Sequence, residues 1–226
     1  MIIGPGGGGL RGCSPSGWSG ELFPPPPPGG FKNGGPAAPV LLHGRGRFAG
    51  ALRSSSRPGH KATLLCLCDL ADCKLMTFPI ALYKVMRHVA EGIHLITLAN
   101  NELKSVTSKF IITFSQLREL NLEGNYIHHL PEEVRTLLHL KIINLSRNKF
   151  HTFPDQLTSL QALETINLEE NEITDVPVEK LASMESLQCV NLKSNPLNEE
   201  VRVIAKPLIK FDLLTSPPVS QVGSHV

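Results

Sequence analysis

The chain has 226 residues, a net charge of +2 and five cysteines. That length supports one substantial core, and the near-neutral total hides an uneven split: residues 1–60 hold six Lys/Arg against one acid, while the rest hold 16 against 19. No apolar run approaches the length of a bilayer, and the odd cysteine count argues against a disulfide-stapled fold.

Residues 1–60 contain 16 of the 19 glycines and 10 of the 18 prolines, including the run Pro24–Pro28. Such a stretch cannot bury enough apolar surface to offset its ordering entropy, so a disordered Gly/Pro-rich tail is expected there. Pro24–Pro28 has the form of a polyproline II ligand but lacks a flanking base to set its direction. Arg45, Arg47, Arg53 and Arg57 are too dispersed for a nucleic-acid patch, and no nucleic-acid partner is expected. The start Met1-Ile-Ile-Gly has no apolar core of a secretory leader, and a cytoplasmic location with reduced thiols is expected.

From 61 to 197 the chain repeats itself. Five blocks fit L-x-x-L-x-L-x-x-N-x-L, with the key asparagine at Asn101, Asn125, Asn148, Asn171 and Asn195, and a degenerate first block places Cys73 there. Successive key residues are 28, 24, 23, 23 and 24 apart. Block positions 1, 4, 6 and 11 are apolar and share one core, with positions 4 and 6 alternating as in a short strand. One block cannot bury that face alone, whereas stacked blocks form a continuous core and a parallel sheet. The ninth-position row, Cys73 included, is expected to form a ladder that satisfies backbone groups left unpaired where the chain turns. An apolar residue stands three positions after the last leucine-type position of the first five blocks (Phe78, Val106, Leu130, Phe153 and Val176), and in four of them proline follows, at Pro79, Pro131, Pro154 and Pro177, which starts the convex side.

These blocks, such as Ile93–Leu103 and those centred on Asn125 and Asn171, resemble the leucine-rich-repeat family over roughly residues 68–215. The resemblance implies an α/β solenoid with a short-stranded parallel sheet on the concave face and a helical or irregular convex side. The proline-containing repeats resemble those of intracellular adaptors of the Ras-suppressor and scribble type, which implies scaffolding or signalling partners.

Both ends read as caps. Leu82, Val85, Met86 and Val89 recur at three- and four-residue steps over 80–90, predicting a helix with those side chains on its buried face and Gly92 as its stop. Asn198 with Glu199 and Glu200 predicts a helical cap over 198–215, in which Phe211, Leu213 and Leu214 finish the cover, followed by a flexible tail over 216–226.

Nothing in the chain carries an enzyme signature: there is no phosphate loop, nucleophile elbow or zinc-protease motif. No cofactor or metal is expected. Adjacent His128 and His129 are expected to point apart as exposed loop residues, and Cys66, Cys68 and Cys73 have no histidine pair to complete a zinc set. The remaining candidate is the concave face. Its expected partner-binding residues are Thr97, Asn100, Glu119, Asn121, Glu123, Lys141, Asn144, Arg147, Glu164, Asn167, Glu169, Glu170, Asn191 and Lys193. The fifth-position row, Asp69 to Asn191, has a plainer reading as a solvated stripe. The expected function is a monomeric, non-enzymatic protein-interaction module. Two alternatives stay open: a secreted or surface recognition domain, which the cysteine cluster and the sequon Asn144-Leu-Ser146 would fit, and a regulatory subunit of an enzyme complex.

Overall fold

A computed structural model describes residues 51–54, 66–201 and 208–217. The rest of the expected tail, with Pro24–Pro28, Arg45 and Arg47, and the C-terminal segment beyond 217 lie outside the described residues.

Seven strands form a parallel sheet: β2 (Cys66–Asp69), β3 (Ile93–Thr97), β4 (Glu119–Asn121), β5 (Ile142–Asn144), β6 (Thr165–Asn167), β7 (Cys189–Asn191) and β8 (Asp212–Leu214). Neighbours pair in chain order, with like block positions side by side: Thr97, Asn121, Asn144 and Asn167 are successive partners, as are Leu95, Glu119, Ile142 and Thr165. Apolar block positions point inward. Leu117, Leu120, Leu122 and Ile127 of one block, and Leu163, Ile166, Leu168 and Ile173 of another, are buried. They belong to one continuous cluster running from Cys68 to Phe211, as stacking requires of units that have no core of their own.

Two strands depart from the sequence expectation. β1 (Ala51–Ser54) lies in the stretch expected to hold no element, yet it runs antiparallel along the outer edge of β2, Ala51 opposite Asp69. The edge of a sheet presents unpaired N–H and C=O groups that an extended segment satisfies through its backbone, whatever its side chains. At the other end, Phe211, Leu213 and Leu214 do not finish a helical cap. Residues 212–214 form β8, a further turn of the solenoid, with Val190 opposite Leu213 and Asn191 opposite Leu214. The helix expected after Asn198 does begin there, at residues 199–201, with Val201 buried.

The convex side follows the repeat spacing. Where key residues are 24 apart the crossing contains an α-helix: α2 (Ser108–Thr113) between Asn101 and Asn125, and α3 (Val178–Ala182) between Asn171 and Asn195. Where they are 23 apart it contains a 3₁₀ turn, Glu132–Thr136 or Asp155–Ser159. A 3₁₀ turn rises about 2.0 Å per residue against about 1.5 Å in an α-helix, so it crosses the same span with fewer residues. Pro79, Pro131, Pro154 and Pro177 each stand just before one of these elements with φ between −64° and −76°, which a pyrrolidine ring imposes without cost. The longest interval holds α1 (Ile80–Met86) and a 3₁₀ turn at Ala90–Gly92. Here the expected helix is shorter and differently faced. Met86 is buried and Leu82 partly so, while Val85 and Val89 are exposed. Phe78, Tyr83, Phe110 and Phe114 fill the space beneath α1 and α2, with Phe78 5.0 Å from Phe110 and 5.7 Å from Phe114 between ring centroids. That aromatic cluster is what α1 covers.

Candidate functional site

The concave face is built on two ladders of side-chain amides. The first is the expected one. Asn148 donates from Nδ2 to the carbonyls of Leu122 (2.9 Å), Leu145 (3.1 Å) and Ser146 (3.0 Å), and its Oδ1 accepts from Ile127 N–H at 3.0 Å. Asn101, Asn125, Asn171 and Asn195 repeat this pattern, each tying its own turn to the preceding coil. At the end position Cys73 gives a smaller version: its thiol donates to the Ala71 carbonyl at 3.3 Å, and its N–H donates to Asn101 Oδ1.

The second ladder is the fifth-position row, and it corrects the solvated-stripe reading. Thr97, Asn144, Asn167 and Asn191 are 2%, 0%, 3% and 4% exposed. Each residue of the row accepts from the backbone N–H two positions on: Asp69 from Ala71, Thr97 from Ala99, Asn121 from Glu123, Asn144 from Ser146, Asn167 from Glu169 and Asn191 from Lys193, at 3.0–3.4 Å. These are side-chain turns that satisfy an amide leaving the strand. Asn144 Nδ2 also donates to Glu123 and Asn191 Nδ2 to Glu169. Glu123 and Glu169 therefore brace neighbouring strands as well as facing outward. Asn144, the sequon residue, is fully buried with both polar atoms engaged, so the folded chain offers no acceptor there.

The eighth-position row turns in the left-handed region in every block. Asp72, Asn100, Arg147, Glu170 and Ser194 have φ of 53–55°, and Gly124 has 64°. That conformation costs a non-glycine residue roughly 1–2 kcal/mol, and it throws Arg147, Glu170 and Asn100 out from the rim of the sheet.

Charges on the face are sorted by half. Lys141 pairs with Glu164 at 2.5 Å, and Arg147 lies 3.5 Å from Glu123 and 3.9 Å from Glu170. The contact with Glu170 is thus the looser of Arg147's two. Glu119 enters no ion pair among the described residues. It sits between Leu95 and Ile142 in the ladder, and burial there raises its carboxyl above the usual carboxylate range. Lys193 is half-buried and Asn100 exposed. Of the third-position row the sequence reading named only Glu119; Leu67, Leu95, Ile142 and Thr165 are half-buried on the same face. Alternation alone carried the signal, since position 3 shares a face with position 5.

Other expected features resolve simply. Rings of His128 and His129 do not diverge; they pack edge to face with centroids 4.6 Å apart, both side chains exposed. They border a 460 Å³ groove on the flank of the coil, floored by Leu130, Phe153 and Val176. No group of three metal-ligating side chains occurs among the described residues, and no described helix is long and apolar enough to cross a membrane. Cys68 is a free thiol whose burial pushes it up to about 12, far from a reactive thiolate. Cys189 is buried in β7.

Comparisons with known proteins agree with this architecture. A family model described as a leucine-rich repeat region matches residues 72–210. Leucine-rich repeat-containing protein 20 of Homo sapiens is 76% identical over 149 residues, 66% of this chain and 81% of that protein. Its Mus musculus namesake is 72% identical over the same shares. Among solved structures, a leucine-rich-repeat protein of Leptospira interrogans aligns with a TM-score of 0.52 at 26% identity, over 62% of this chain and 34% of its own. TLR13, solved in complex with ssRNA13, aligns with a TM-score of 0.55 at 22% identity over 66% of this chain. This chain spans 21% of TLR13, and the likeness there is one of fold.

Proposed function

The chain belongs to the leucine-rich-repeat family, and from that premise we propose that it is a non-enzymatic module that docks a protein partner on its concave sheet, serving as an intracellular adaptor. One observation carries the reading. Strands β3 to β7 hold their third-, seventh- and eighth-position side chains in fixed rows, on a frame in which the two ladders satisfy two different sets of backbone amides. A rigid frame with outward rows provides preorganised, charged and polar contacts that favour specificity in association. The alternative as a secreted recognition domain rested on the sequon and the cysteine cluster. Asn144 is buried, and Cys68 is a buried free thiol, so neither motif supports it.

Proximity labelling in cells tests the reading. The full chain is compared with a concave variant, Glu119→Lys with Lys193→Glu, and a convex variant, Lys84→Glu with Glu179→Lys, all four residues lying outside the described ion pairs. Glu123 and Glu169 are unsuitable because they also hold Asn144 and Asn191. Loss of labelled partners with the concave variant alone is the expected outcome. Loss with the convex variant alone overturns the proposal.

A further inference from the structure

The two halves of the concave face differ in what they leave for a partner. From β4 onward most charges are spent internally: Lys141 on Glu164, Arg147 on Glu123 and Glu170, and Glu169 on Asn191, with Lys193 outside the described ion pairs. In the N-terminal half Asp69, Asp72 and Glu119 enter no ion pair among the described residues, and Arg118 enters none either. The floor of that half is apolar or small. Leu67, Leu95 and Ile142 stand half-buried in the third row, and Ala71 and Ala99 occupy the seventh row. Glu119 is in register between Leu95 and Ile142.

We propose that this N-terminal half, strands β2 to β5, takes a basic–apolar protein segment that seats an Arg or Lys head on Glu119 and lays aliphatic groups on Leu95 and Ile142. The inference rests on the docking reading above and narrows it to one half of the face and one partner chemistry. Charge complementarity selects the occupant. Three carboxylates outside the described ion pairs, against the one such cation Arg118, leave a net acidic surface that repels an acidic segment and favours a cationic one. The apolar neighbours choose among cations. A long side chain with a charged head and a methylene stem covers leucine and isoleucine surface while its head reaches the carboxylate. Glu119 has already lost part of its hydration in the free protein, so pairing it costs less additional desolvation than pairing a fully solvated acid. Arg is the better match, since its fork binds a carboxylate through two parallel bonds. A nucleic acid is disfavoured here by the same carboxylates, which would face its phosphates.

The test uses the full chain and three labelled decapeptides, of alternating Leu and Arg, alternating Ser and Arg, and alternating Leu and Glu, with fluorescence anisotropy as the readout. The Leu/Arg peptide is expected to bind, the Ser/Arg peptide more weakly and the Leu/Glu peptide not at all. Glu119→Gln, nearly isosteric at a half-exposed position, is expected to weaken the Leu/Arg peptide about tenfold, as loss of one charge-assisted hydrogen bond does. Leu95→Ser is expected to remove the advantage of Leu/Arg over Ser/Arg, and the convex Glu179→Gln to change nothing. No binding of the Leu/Arg peptide, equal binding of all three peptides, or a Glu119→Gln effect no larger than that of Glu179→Gln overturns the inference. If cellular partners are nevertheless lost with a Lys193→Glu single variant and kept with Glu119→Gln, the docking reading stands and this narrowing of it falls.

Discussion

Replacing Asn148 by alanine is the sharpest probe of how the frame is held. Four hydrogen bonds disappear, but the cost is not four times one bond. The Leu122 carbonyl keeps a donor in Asn125, the Leu145 carbonyl keeps Asn171, and the Ser146 carbonyl keeps Gly124 N–H. Ile127 N–H has no other described acceptor, and it belongs to a fully buried residue. The loss is therefore dominated by one orphaned buried donor, about 1–3 kcal/mol. For a domain of this size that lowers the thermal midpoint by roughly 2–4 °C per kcal/mol. Lys149→Ala is the control: it removes an exposed ion pair to Glu172 at 3.2 Å, worth at most about 1 kcal/mol. Asn148→Asp is the discriminating variant. It keeps the acceptor for Ile127 but turns a carboxylate toward the three carbonyl oxygens that Nδ2 now serves, so it should unfold earlier than Asn148→Ala at neutral pH. Circular dichroism melts of the four proteins decide the matter. An alanine variant that melts with Lys149→Ala, or an aspartate variant milder than the alanine, refutes this account of the ladder.

Three further outcomes follow from the same geometry. Ser194 holds φ 55° and its side chain makes no described hydrogen bond, so Ser194→Gly should stabilise by about 0.5–1 kcal/mol, and β-branched Ser194→Val should destabilise, in urea titrations. Gly124 has φ +64°, and a Cβ there would lie 2.6 Å from Asn100 Oδ1. Gly124→Ala should cost about 1–2 kcal/mol by the backbone alone, with an added steric part that an Asn100→Gly background removes. Glu119→Gln should be more stable than the parent at pH 7, because the folded carboxyl titrates above its unfolded range and the ionised form carries the desolvation cost. Parent stability then falls as pH rises between the unfolded and folded pKa, so the two proteins should converge in urea midpoint at about pH 3, where both side chains are neutral.

The frame was legible wherever one side chain did one thing at a fixed interval. Leucines at positions 1, 4, 6 and 11 and asparagine at position 9 each have a single partner environment, so their periodicity mapped directly onto core and ladder. The fifth row was misread because alternation along a strand says which face a side chain leaves from, not whether it folds back onto its own backbone. The clue was chemical: Asp69, Thr97, Asn121, Asn144, Asn167 and Asn191 share a side-chain oxygen within reach of the N–H two residues on. β8 escaped notice because Leu214 stands where that oxygen is expected, opposite Asn191. Helix α1 was drawn with the wrong face because its packing is set by Phe78, Phe110 and Phe114, residues on other segments that no local periodicity reports.

The two ladders also restrict where recognition can be written. Position 5 is committed to the backbone, and its buried members offer a partner almost no surface. Position 8 is open to solvent but must tolerate a left-handed backbone, which favours glycine and asparagine and taxes the rest. Positions 2, 3 and 7 carry neither constraint, and there the side chains change from block to block: His94, Arg118, Lys141, Glu164 and Gln188 in the second row, Leu95, Glu119, Ile142, Thr165 and Cys189 in the third, and Ala99, Glu123, Ser146, Glu169 and Lys193 in the seventh. Within those rows Glu123 and Glu169 are already drawn into bracing Asn144 and Asn191. Under the proposed docking, partner identity would be concentrated in the third row and its flanking charges. That row passes from apolar at β2 and β3, through Glu119, to Ile142 and Thr165. Exchanging Leu95 and Ile142 for serine should therefore change which partner binds while leaving the melt near the parent's. Exchanging Asn144 and Asn167 should lower the melt first and affect binding only through loss of the fold.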